Sequence, residues 1–212
     1  MVEHVTENHG VAGSIPALGT TSISAASHPI EPAGRLRRLV VVGTTGSGKS
    51  HLARRLGAVL DCPAVDLDDL NWLPGWKTRP TPEFLALVGE VANRERWVVA
   101  GNYAVTRPIV WPRAEAVVWL DPGFWRTLGR LVRRTVVRAW TRAPICNGNV
   151  ESWRVLLSRD SLFVWFFRTY WRNRRRYGEL FAAPGEWQGR AFIRLENAGD
   201  ADRLLARLAA TR

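Results

Sequence analysis

The sequence predicts an α/β fold, a three-layer sandwich in which a five-stranded parallel sheet carries helices on both faces and a helical lid is inserted before the last strand. Three observations predict it. From Arg37 onward, short apolar runs alternate with segments whose apolar residues recur every three or four positions, the pattern of strands joined by crossover helices. The first apolar run, Leu39-Val40-Val41-Val42, passes through a glycine-rich loop straight into an amphipathic segment with Leu52, Leu56 and Leu60. The stretch from about 122 to 188 is too long for a simple crossover.

Residues 1–34 are rich in Gly, Ala, Ser and Thr, show no sustained periodicity, and hold His4, His9 and His28; they read as a disordered tail. They lack the basic start and apolar centre of a secretory signal. Gly13-Ser14-Ile15-Pro16 is also what GGTTCGATTCC, the T-arm consensus of transfer RNA genes, encodes. Translation of the native protein is therefore expected to begin near Arg35, and mass spectrometry recovering a native peptide through Gly13 to Pro16 would refute this. One α/β domain is expected over 35–212, with strands at 37 to 43, 64 to 67, 97 to 101, 115 to 120 and 191 to 195. Helices are expected after Gly48, after Thr81 as N-cap with Pro82 at the first helical position, after Asp121, after Asn149 and near Asp200.

The loop between the first strand and first helix is Gly43-Thr44-Thr45-Gly46-Ser47-Gly48-Lys49-Ser50, a phosphate-cradling P-loop. Its glycines let the backbone wrap an anion with its N–H groups turned inward. Lys49, one of only two lysines in the chain, puts a compact positive charge where the β and γ phosphates of a nucleotide would lie. The Ser50 hydroxyl suits the accompanying Mg2+, and the helix that follows turns its positive end toward the phosphates. His51 comes next and is within reach of an α-phosphate.

The net charge of +11 is a property of one segment. Between Pro122 and Arg176 stand 13 arginines against Glu151 and Asp160 alone, which leaves 17 basic and 17 acidic residues elsewhere. Arg126, Arg130, Arg133, Arg134 and Arg138 recur at helical spacing, with Phe124, Leu128, Leu131, Val132 and Trp140 largely opposite. Like charges stacked along a helix repel until an anion arrives, and a nucleoside triphosphate is such an anion. A secondary reading gives Arg172, Arg174, Arg175 and Arg176, beside Trp165, Tyr170 and Trp171, to single-stranded nucleic acid, with ATP as a switch. Cys62 and Cys146 have neither metal-ligand spacing nor a disulfide framework, and no apolar run reaches membrane-spanning length. A cytoplasmic protein without a membrane partner is the expectation.

Asp66, Asp68 and Asp69 follow the second strand at the carboxyl edge of the sheet, where ligands of doubly wound folds bind. A carboxylate there holds Mg2+ through water, orients an acceptor hydroxyl, or takes its proton. Asp121, at the end of the fourth strand, either assists the metal or caps the next helix. Gly101-Asn102-Tyr103 ends the third strand, with Arg107 shortly after, and both are expected to face the acceptor.

Gly43 to Ser50, Val65-Asp66-Leu67-Asp68-Asp69-Leu70-Asn71-Trp72, Trp97 to Tyr103 and Val117 to Asp121 together resemble the adenylate-kinase-like P-loop NTPase kinases. The resemblance runs over about 37 to 210 and is closer to a bacterial subgroup often labelled adenylate kinase or topology modulation protein. Asn147-Gly148-Asn149 with Glu151, and Ser158-Arg159-Asp160-Ser161, look like that subgroup's lid motifs. The resemblance implies ATP with Mg2+ as phosphoryl donor and a small-molecule acceptor. It implies further that Arg130 and Arg134 contact adenine or phosphates, that Asn197 lies beside the adenine, and that Arg107 faces an acceptor anion. Two departures stand out. Ala100 occupies a position where many relatives carry an acid, which shifts the metal to Asp68 or Asp121, and Gly101-Asn102-Tyr103 replaces the glycine-rich signature that accompanies AMP as acceptor.

Overall fold

Strand β1 (Arg38–Gly43) is apolar on both faces and so requires cover on both. Leu39 and Val41 enter one core, Val40 and Val42 the other, as the two-residue repeat of a strand dictates. The computed structural model describes residues 36–151 and 162–210. The tail expected over 1–34 lies outside them, as do Ser158 to Ser161 and most of the first turns of the helix expected after Asn149.

The chain continues as α1 (Lys49–Leu60), β2 (Ala64–Asp66), α2 (Leu67–Asn71), the hairpin β3 (Trp72–Leu73) and β4 (Lys77–Thr78), α3 (Thr81–Ala92), β5 (Trp97–Ala100) and α4 (Arg107–Val110). Then follow β6 (Ala116–Leu120), α5 (Phe124–Thr141), α6 (Leu162–Ala182), β7 (Ala191–Leu195) and α7 (Ala198–Ala210). Five strands form one parallel sheet in the order β2-β5-β1-β6-β7, with Val40 level with Val99 on one side and Val117 on the other. Leu52, Leu56 and Leu60 of α1 and Leu204, Leu205 and Leu208 of α7 close one face. Phe84, Val88 and Val91 of α3, with Val110 and Tyr177, close the other. This is the expected three-layer α/β sandwich, and it puts the end of β1 at the centre of the carboxyl edge.

Several element ends differ by a residue from the sequence reading, and two of them have a local reason. β2 stops at Asp66 because the Asp66 carboxylate turns to accept the Asp68 N–H at 3.1 Å and caps α2. Helix α3 takes in Thr81 itself, with Pro80 as the capping residue and Pro82 in the first turn.

The segment between β6 and β7 is not a lid throughout. Leu131, Phe166 and Tyr170 make a small core of their own between α5 and α6, with Phe124 and Leu128 against it. Further along α6, Tyr177 is buried in the main core and Phe181 packs edge-on against Trp119 of β6 at 5.2 Å. Within the stretch of 122–188 expected as a lid, α6 from Tyr177 onward thus packs on the sheet over β6 and β7.

Candidate active site

The loop from Gly43 to Ser50 has the geometry an anion needs. Gly46 (φ 83°) and Gly48 (φ 101°) occupy the left-handed region that other residues enter at a cost. A Cβ on Gly46 would stand 3.0 Å from both Thr127 O and Leu131 Cβ, so the loop is seated directly against α5. Ser47 N donates to Thr44 O at 3.1 Å and closes the turn. Lys49 reaches back across the loop, its Nζ donating to Thr44 O at 3.1 Å. Burial pulls the Lys49 pKa below its ordinary value, against the support of Asp68 and Asp66 and with a push from Arg134. No acid occupies the first turn of α1, so its positive end stays uncompensated and available to a phosphate. Ser47 Oγ and Arg134 Nε are buried without a hydrogen-bond partner, a polar deficit that phosphate oxygens would relieve.

On the β5 side the loop is braced by a chain of side chains. Asn102 accepts from Gly43 N at 3.2 Å and donates to Gly43 O, and Tyr177 OH donates to Asn102 Oδ1 at 3.0 Å. Tyr103 OH donates to Asp68 Oδ1 at 2.7 Å, and Asn71 Nδ2 donates to Tyr103 OH at 3.3 Å. The Asp68 carboxylate is open to solvent at its rim yet set in a crowded cleft. Desolvation raises its pKa, Asp66 adds to the rise, and Tyr103 and Lys49 oppose it. Gly101, Asn102, Tyr103 and Arg107 line one cavity with Leu67 and Trp111. The Arg107 guanidinium lies over the Trp111 ring at 5.2 Å and the Tyr177 ring at 5.8 Å, which orients it without neutralising it.

On the β6 side a cleft of about 620 Å³ opens between α1, α5 and the start of α7. Ser47, Gly48, His51, Arg130 and Asn197 line it, so the residues the sequence assigned to a nucleotide from distant parts of the chain meet here. Arg130 Nη1 donates to Ser47 O at 3.2 Å and so already lies over the loop. Arg134, one turn on, is half-buried. Burial first, then neighbouring Arg138, lowers its pKa, and Glu151, Asp68 and Cys146 resist.

Asp121, expected either to assist the metal or to cap the next helix, is engaged by arginines. Its side chain is 4% exposed and both oxygens accept from arginines, Oδ1 from Arg174 Nε at 3.1 Å and Oδ2 from Arg194. β6 thus ends in an ion-pair node joining β6, α6 and β7. Among the described residues no three His, Cys, Asp or Glu side chains converge on a cation position. That accords with Mg2+, which takes most of its oxygens from phosphates and water, and Ser50 and Asp68 are suitable donors for the remainder.

Sequence reasoning missed the support around the site. Asn149 is buried, accepts from Trp76 N at 2.8 Å and donates to Leu73 O at 2.9 Å, while Asn147 donates to Asp69 O at 2.8 Å. The loop after α5 is thereby pinned to the β3–β4 hairpin beside Asp68. Pro74-Gly75 signals that hairpin turn; nothing local signals that Tyr177 reaches Asn102.

No protein-family model matches this chain, and no curated protein matches it. Among solved structures it is similar to shikimate kinase from Bacteroides thetaiotaomicron, at 18% identity over 82% of this chain and 97% of that one, with a TM-score of 0.48. It is also similar to a gluconokinase from Sinorhizobium meliloti 1021, at 20% identity over 83% and 95%, with a TM-score of 0.47. Shikimate kinase from Acinetobacter baumannii in complex with shikimate stands at 16% over 82% and 90%, again with a TM-score of 0.47. The fold itself is read from the strand order and register, and by those the chain is an α/β sandwich with a glycine-rich anion loop at the end of its central strand.

Proposed function

We propose that this protein is an ATP- and Mg2+-dependent phosphotransferase acting on a small hydroxyl-bearing molecule. One observation carries the reading: Ser47, Gly48, Arg130 and Asn197 line a cleft beside the P-loop, and the Asp68 carboxylate, held by Tyr103 OH, stands on the β5 side of the same loop. A nucleotide switch needs only the cleft; transfer also needs a group that positions an acceptor.

ATP lies in the larger cleft with its triphosphate along the loop amides, and Lys49 holds the β and γ oxygens. Ser50 and Asp68 would hold Mg2+ together with phosphate oxygens, and the ion would supply charge neutralisation for the group being moved. Asp68, oriented by Tyr103, positions the acceptor hydroxyl and takes its proton, a task suited to a carboxylate whose pKa is raised. Arg107 meets an anionic group on the acceptor. Arg130 and Arg134 stabilise charge on the phosphoryl oxygens in flight, and α5, already seated against the loop at Gly46, limits the access of water. The site's contribution is mostly positioning and charge.

The test is ADP release measured with ATP and Mg2+ against a panel of nucleosides, nucleoside monophosphates and small polyols. ADP formation that depends on one acceptor class supports the proposal. Slow release indifferent to every acceptor overturns it in favour of a nucleotide switch.

A further inference from the structure

Helix α5 faces the wrong way for an ordinary surface helix. Its buried residues are Thr127, Leu131, Thr135 and Ala139, two of them threonines, and Thr135 Oγ1 has no hydrogen-bond partner. Leu131, Phe124 and Leu128 turn toward α6, yet four further apolar side chains point outward: Trp125 is 79% exposed, Trp140 81%, Val132 and Val136 40% each. At 100° per residue these four fall within one narrow sector, a stripe roughly 22 Å long at 1.5 Å per residue. At its N-terminal end the stripe continues through Phe124, whose ring touches Trp125 and stacks on exposed Trp171 at 5.9 Å, with exposed Phe167 at 6.0 Å. An apolar band of this extent on the surface marks a contact.

Arg126 and Arg133 border the stripe on one side, with exposed Val137 beside them, and the 18 residues contain no acid. An apolar face edged by positive charge alone decides between occupants. A second copy of this chain, docked stripe to stripe, would bring in the same all-basic helix, with no acid on α5 to pair with its arginines. Single-stranded nucleic acid calls for rings and cations interleaved at base-to-phosphate spacing, and Val132 and Val136 offer no face for stacking. A bilayer with anionic headgroups takes the apolar stripe into its acyl boundary while the flanking guanidinium groups stay among the phosphates.

We propose that the outer face of α5, centred on Trp125, Val132, Val136 and Trp140, is a docking surface for an anionic lipid membrane. The protein lies on the bilayer and does not cross it: no described helix is long and apolar enough to span. The sequence expectation of no membrane partner rested on span length, which does not bear on a helix lying in the interface. This inference is independent of the phosphotransferase reading.

The test is flotation of the full chain with phosphatidylcholine vesicles and with vesicles containing phosphatidylserine, alongside the tryptophan emission maximum. Binding to the anionic vesicles with a blue shift is expected, weakened by salt. Replacing both exposed tryptophans, Trp125→Ser and Trp140→Ser, is expected to lower vesicle affinity at least tenfold, on the order of one buried aromatic side chain. The thermal melt should be unchanged, since both side chains are already in solvent. Arg133→Glu is expected to lower anionic binding without affecting the melt. No binding, or equal binding to neutral vesicles, overturns the proposal. So does a double variant that floats like the parent but no longer binds oligothymidylate, or one that turns a sedimenting dimer into a monomer with vesicle binding unaltered.

Discussion

Lys49 is held in a place that costs the empty protein stability. Desolvation lowers its pKa, so between that lowered value and 10.5 the unfolded chain binds more protons than the folded one and wild-type stability rises with pH. Removing the ammonium removes this slope. Nucleotide- and metal-free Lys49→Met should melt at or above wild type near neutral pH, and the advantage should shrink as pH approaches 10.5, as read by melting scans across that range. The same substitution should abolish ATP-dependent phosphoryl transfer, since no other lysine lies in the loop. Arg134→Ala should lower kcat by at least tenfold while KM for ATP moves little, because a contact that strengthens only in the transition state appears in kcat; unchanged turnover would make it an ordinary cleft residue. The P-loop residues were legible in the sequence because a phosphate cradle is local, eight residues between a strand and a helix. Asp121 was not. Its neighbours Arg174 and Arg194 are 53 and 73 positions away, and only the finished sheet brings them together.

Between elements, the Asp121 node is the joint whose failure is easiest to foresee. Asp121→Ala leaves two guanidinium groups facing each other at the ends of β6 and β7, each itself more than a third exposed. After allowance for solvent screening the loss should be about 1–3 kcal/mol, measured by urea unfolding, with disorder greatest in α6. Strands and crossover helices were readable from periodicity, as the strand bounds show within a residue or so. The short elements around Asp68 and Arg107 were not. α2, the β3–β4 hairpin and α4 span two to five residues each, too few for a period to emerge, and they hold their form through Asn147, Asn149 and Asn71. The outward face of α5 escaped for another reason: its sequence is amphipathic, but which sector meets the core depends on Phe166 and Tyr170 of α6.

At the scale of the molecule, ligand binding and stability are one equilibrium. If the cleft beside the P-loop takes ATP, ATP with Mg2+ at a hundred times its Kd should stabilise the native state by about 2.7 kcal/mol, visible as a raised melting temperature in wild type and absent in Lys49→Met. The overall architecture was the most legible property of all, because a parallel sheet covered on both faces follows from doubly apolar strands and repeated crossovers, while the strand order with β1 at its centre comes from the structure alone. One consequence concerns how such a chain can be recombined. Tyr177 belongs in sequence to the arginine-bearing segment but in space to the mouth of the P-loop, through Asn102 and Gly43. A chimera that swaps this segment for a homologue's must therefore keep its splice point upstream of Tyr177, or carry an equivalent phenol across, for the recipient's phosphate loop to keep its shape.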